Sequence, residues 1–92
     1  DEAKQAVKRA YVEIKDSKKA VLLNRQLGVI RTVALTSLMH AIERSEEPVL
    51  ALAIDGSATS TLIRICEEIG IMYVGARNFS YVEGTKVHLI SL

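Results

Sequence analysis

The sequence predicts a small α/β domain, with a mixed sheet of about five strands built around one βαβ unit and helices on both faces. Three observations carry this prediction. Residues 49–54 form an unbroken apolar run that ends in Asp55-Gly56, as in a central strand covered on both faces. Residues 58–69 then place Leu62, Ile65, Cys66 and Ile69 on one helical stripe, and Gly70 supplies a helix stop. Residues 71–74 form a second apolar run. Strand, turn, helix, glycine and strand in that order define a βαβ unit. The right-handed crossover rule puts its helix against one sheet face.

The remaining elements extend the order to α-β-β-α-β-α-β-β. Residues 1–15 read as a helix, because Ala3, Val7, Ala10, Tyr11 and Ile14 recur at helical spacing between charged positions. Asp1 and Glu2 sit where a helix N-terminus favours anions. Residues 16–19 are a polar connector. Residues 20–23 and 29–35 read as two strands of a hairpin with a five-residue loop, where Asn24 and Gly28 tolerate positive φ. Alternation in the second strand places Val29, Arg31 and Val33 on one face and Ile30, Thr32 and Ala34 on the other, one of them wetter. Thr36-Ser37 is expected to cap a helix through Arg44 that buries Leu38, Met39, Ala41 and Ile42. Residues 45–48 form a loop, since Pro48 disfavours a helical Glu47. Residues 77–85 are a polar loop and 86–90 a closing strand, with Val87 and Leu89 opposite His88 and Ile90. The N-terminal helix is the best cover for the second face of the 49–54 strand.

Composition narrows the function classes. Ninety-two residues make one small domain, 1–92, divided into a helix and connector (1–18) and an α/β core (19–92). The chain begins with Asp1, not Met, and reads as a fragment of a longer or processed chain. The apolar fraction is 49% and the mean hydropathy +0.19. That is enough for a core, with an apolar surplus that points to self-association or a protein partner. The first helix and the hairpin are the elements expected to carry the exposed part of it. A net charge of +1 advertises neither nucleic acid nor membrane. A single cysteine excludes an internal disulfide and a cysteine-based metal site. No apolar run approaches a membrane span and no signal-peptide pattern opens the chain, so the expected location is cytoplasmic.

The candidate chemistry is sparse. Asp55, Gly56 and Ser57 stand at the carboxyl end of the predicted central strand, where open α/β sheets bind ligands. Backbone N–H groups opening the next helix could hold an anion there. The structural alternative is that Asp55 or Ser57 caps that helix and Gly56 permits the turn, with positive φ or a close backbone approach. Neither dinucleotide nor phosphate-loop glycine fingerprints are present. Cys66 lies on an apolar stripe and reads as an inert buried thiol. His40 and His88 have no metal-ligand spacing. Residues 81–84 resemble, over a few positions, the glutamate motif of toprim domains, but no Asp-x-Asp follows, so Glu83 reads as a turn residue. Residues 1–19 carry six basic against four acidic side chains. With Arg25, Arg31 and Arg77 these could line a face and touch phosphates. Phe79 and Tyr81 beside Arg77 form the one arrangement suited to a nucleic-acid contact, weak or indirect.

Three ordered segments resemble the C-terminal domain of archaeal bacterial-type, DnaG-like primases. AVLLNRQLGVIRTVALTSLMHAI is similar to that family's hairpin and short helix. LALAIDGSATSTLIRICEEIGIMYVGAR is similar to its Asp-Gly turn, helix and glycine-bounded strand ending in Gly-x-Arg. KVHLISL is similar to its closing strand. The match runs from Lys19 to Leu92 and departs from the family at Ser57-Ala58-Thr59. The resemblance implies a parent with a Mg²⁺-dependent toprim core that lies outside these residues and synthesises primers. It also implies association with the RNA exosome. The present domain would then be a non-catalytic docking or self-association appendage, with no catalytic residue, metal or cofactor of its own. The alternative is a small ligand-binding or catalytic domain using the 55–57 turn.

Overall fold

The computed structural model describes residues 1–80 and 83–92. The first helix, α1 (Glu2–Ile14), is capped by Asp1, whose Oδ1 accepts from the N–H of Ala3 at 2.9 Å and of Lys4 at 3.3 Å. It buries Ala3, Ala6, Val7, Ala10 and Ile14.

A hairpin follows, β1 (Lys19–Leu23) and β2 (Val29–Ala34). Its loop is organised by the Asn24 side chain, whose Oδ1 accepts from Gln26 N at 3.0 Å and Gly28 N at 2.9 Å. The positive φ expected of Asn24 or Gly28 falls on Leu27 instead, at 66°. The strict alternation expected in β2 is also broken. Val33 pairs with Ala20 and Arg31 with Leu22, but Leu23 pairs with Val29. Ile30 is the unpaired extra residue of a bulge. The bulge turns Ile30 toward the same core that Val33 packs against, which strict alternation forbids.

A 3₁₀ turn (Leu35–Ser37) leads into α2 (Leu38–Glu43). The expected Thr36-Ser37 cap is absent, because neither side chain accepts a capping hydrogen bond. The tight 3₁₀ turn meets the need through the backbone, with Leu38 N–H donating to the Leu35 carbonyl.

The central strand β3 (Ala51–Ile54) runs antiparallel to β1 and parallel to β5 (Tyr73–Ala76), which pairs in parallel with β7 (His88–Ser91). The five-stranded order is β2-β1-β3-β5-β7. Between β3 and β5 lie β4 (Ser57–Ala58) and α3 (Ser60–Ile69). A second, two-stranded parallel sheet joins β4 to β6 (Asn78–Phe79), residues the sequence placed in a turn, at the start of a helix and in a loop. α3 therefore starts two residues later than expected, capped by Thr59 Oγ1, which accepts from Leu62 N at 3.1 Å. It ends at Gly70, φ 100°, where the N–H groups of Gly70 and Ile71 both donate to the Cys66 carbonyl at 2.9 Å.

The alternating strand faces feed two cores. Leu22, Leu52, Ile54 and Val74 pack with α2 and α3 on one side. Val21, Leu23, Ala51, Ala53 and Ile90 meet α1 on the other. The N-terminal helix thus covers the second face of the central strand, as its pattern predicts. Its seat is made of small residues: Ala51 and Ala53 on β3 and Gly75 on β5 let the helix approach closely. A Cβ at Gly75 would collide with Val7 Cγ1. Among the described residues, no helix is long and apolar enough to cross a membrane.

Candidate functional site

Asp55 directly follows β3 and is the one buried charged residue among those described, 5% exposed. Its Oδ2 accepts from Lys18 N at 2.8 Å, and its Oδ1 accepts from the Tyr11 hydroxyl at 3.3 Å. The Arg77 Nη1 lies 3.8 Å from Asp55 Oδ1 and 3.7 Å from Asp16 Oδ1. The carboxylate therefore gathers α1, the α1–β1 connector and the residue after β5. The connector needs this support. Asp16 and Lys18 both hold left-handed backbone, with φ of 64° and 57°, which side-chain-bearing residues adopt at a cost. The backbone hydrogen bond from Lys18 is the largest cause holding the Asp55 carboxyl below its usual range, working against desolvation. Desolvation in turn pushes the Tyr11 phenol up.

The neighbouring residues depart from the expected turn geometry. Gly56 lacks the expected positive φ; its carbonyl accepts from Arg77 N at 2.9 Å, but outside its chain neighbours no backbone atom crowds the position a Cβ would take. Its nearest obstacle to a Cβ is the movable tip of Leu35, Cδ1 at 3.0 Å. Ser57 is exposed in β4, where it pairs with Asn78. Neither Asp55 nor Ser57 caps α3, because Asp55 precedes β4, Ser57 is part of it, and Thr59 takes the capping position. Arg77 directs its guanidinium to the two aspartates. Phe79 is half-buried and packs on the larger core. Tyr81 lies outside the described residues.

The other sequence-marked groups stand apart. Cys66 is fully buried, and burial pushes its thiol up to about 12. His40 is exposed on α2, whereas His88 on β7 stacks on Tyr73 with ring centres 5.0 Å apart. Glu83 is exposed. Lys4 and Lys8 flank the Tyr73–His88 pair on the α1 face, and Arg25 and Arg31 border clefts on the α2 face. The basic residues are thus spread over both faces. Among the described residues, no three His, Cys, Asp or Glu side chains converge as a metal ion requires.

One feature escapes sequence reasoning altogether. A groove of about 1190 Å³ opens between α2, the 45–50 loop and the end of α3, on the far side of the sheet from α1. Its walls include Met39, Ile42, Leu50, Ile65, Ile69 and Met72. Ile69 and Met72 are 49% and 44% exposed. The helical stripe predicted to bury Ile65 and Ile69 is rotated: α3 buries Leu62, Ile63 and Cys66, which leaves Ile65 half-buried and Ile69 free on the groove wall. The Glu46-Glu47-Pro48 run was the available signal, but only its loop character was legible.

Comparison of the chain with protein-family models, with curated proteins and with solved structures returned no match.

Proposed function

We propose that this chain is a non-catalytic docking or self-association domain of an archaeal DnaG-like primase, working in the cytoplasm. The parent would synthesise RNA primers in DNA replication and associate with RNA-exosome subunits. The hairpin, Asp-Gly turn and closing strand from Lys19 to Leu92 support the family. The state of Asp55 supports a non-catalytic role. It occupies the place where α/β sheets put ligand-binding residues, yet its oxygens serve Lys18 N, the Tyr11 hydroxyl and Arg77. A carboxylate engaged in holding α1, the α1–β1 connector and Arg77 together is a structural clasp.

The test uses the parent and the isolated domain. The domain alone, supplied with Mg²⁺, template and nucleotides, makes no primers. A parent lacking residues 19–92 keeps template-dependent synthesis and no longer co-purifies with exosome subunits. Primer synthesis by the purified domain, abolished by Asp55→Ala, overturns the reading. A parent sequence without a toprim Val-Glu-Gly strand and Asp-x-Asp ahead of Asp1 removes the family assignment.

A further inference from the structure

The groove between α2 and α3 has a marked chemical asymmetry. Its floor is apolar, with Ile42 and Val49 buried, and Ile69 and Met72 standing open on its wall. Its border is acidic, with Glu43, Glu46, Glu47 and Glu68 against the single cation Arg25. The whole chain, by contrast, carries a net charge of +1. Among the described residues, none of the four glutamates forms an ion pair, since both ion pairs belong to Arg77. Glu47 accepts one hydrogen bond, from Asn24 Nδ2 at 3.1 Å. Their charge is directed at solvent around an exposed apolar surface.

We propose that this groove is the docking site for a basic amphipathic helix of a partner protein, with apolar residues on one face and lysines or arginines flanking them. The proposal rests on the docking reading above and gives that reading its partner chemistry. An apolar helix face laid in the groove buries Ile69 and Met72. Flanking cations meet the four rim carboxylates, which steer association and fix orientation. Methionines at both walls, Met39 and Met72, adapt to the shape of the occupant. A second copy of this chain fits less well. The apolar stripe of its α1 is already buried against its own sheet, and the exposed face of α1 carries Lys4, Lys8 and Arg9 with Val12 as its one exposed large apolar residue.

The probe is a designed helical peptide of leucine and lysine at amphipathic spacing, with a leucine–glutamate peptide of the same pattern as control. Titration into the ¹⁵N-labelled domain is followed by amide shifts. The basic peptide is expected to bind saturably and to move amides of α2, the 45–50 loop and the end of α3, while the acidic peptide does not. Glu46→Lys with Glu68→Lys is expected to weaken the basic peptide by about tenfold or more and to admit the acidic one. Ile69→Asp, exposed and therefore tolerated by the fold, removes binding of the basic peptide. Equal binding of the two peptides, shifts mapping elsewhere, or no saturable binding overturns the proposal. So does a concentration-dependent dimer that Ile69→Asp dissolves, which would assign the groove to a second copy. Each of these results leaves the non-catalytic reading intact. Primer synthesis by the isolated domain would defeat that reading without touching the groove.

Discussion

At the scale of single residues, Asp55 contributes to this protein's stability on the acid side. The Lys18 N–H is the chief cause holding its carboxyl below the usual range in the folded chain. In the unfolded chain it titrates at about 4, so there it binds a proton that the folded state refuses. Its contribution is therefore complete above that value and is lost as the pH falls through it toward the depressed folded value. Asp55→Asn is expected to lower the melting midpoint at pH 7 by several degrees, with the gap to the unsubstituted chain narrowing below about pH 4. Melting curves followed by circular dichroism across that range check this; parallel curves at every pH would sink it. Gly56→Val, in contrast, meets only the tip of Leu35 and is expected to cost less than about 1 kcal/mol. A larger loss in chemical denaturation would mean that the turn is more constrained than its backbone indicates.

At the scale of elements, two substitutions test how the helices are set. Thr59→Ala removes the acceptor for Leu62 N and should cost about 1 kcal/mol. Ser57→Ala, two residues earlier in β4, should cost almost nothing. The reverse result would restore the cap to the Asp-Gly-Ser turn. Gly75→Val drives a branched side chain into Val7 and should destabilise by about 1–3 kcal/mol. Val7→Ala in the same chain should return part of that loss, a coupling that a double-mutant cycle on urea midpoints measures. These sites also show why the sequence disclosed some elements and hid others. The unbroken apolar runs at 49–54 and 71–74 and the periodic stripe of α1 are local signals, and they placed the sheet centre and the helix beneath it. β4 and β6 hold two residues each. Their pairing depends on two loops meeting in space, which no local pattern encodes. The bulge at Ile30 is likewise a product of register with β1. The candidate site was half legible: Asp55 was visible as the strand-end acid, but Tyr11, Lys18 and Arg77 are 44, 37 and 22 positions distant, and only the fold unites them.

At the scale of the whole molecule, the apolar surplus read from composition divides between two faces of one sheet. The stripe of α1, expected to be partly exposed, is consumed by the smaller core, and the exposed remainder includes Ile69 and Met72 at the groove. β1, β3 and β5 each have a strand on both sides, whereas β2 and β7 are edges. Amide exchange should therefore be slowest in β1, β3 and β5 and faster in β2 and β7. Uniform protection across all five strands in a hydrogen–deuterium measurement would contradict this. The position of α1 has a consequence for how the protein is born. The helix is made first, but its seat is finished only when Ala51, Ala53 and Gly75 have been added. On a ribosome, which extends the chain in one direction, the α1 segment waits without a landing place while most of the remaining domain is synthesised. The amphipathic face that ends as the quietest part of the core is thus the surface most open to chaperones during translation, and a chain interrupted before Gly75 would leave it permanently so.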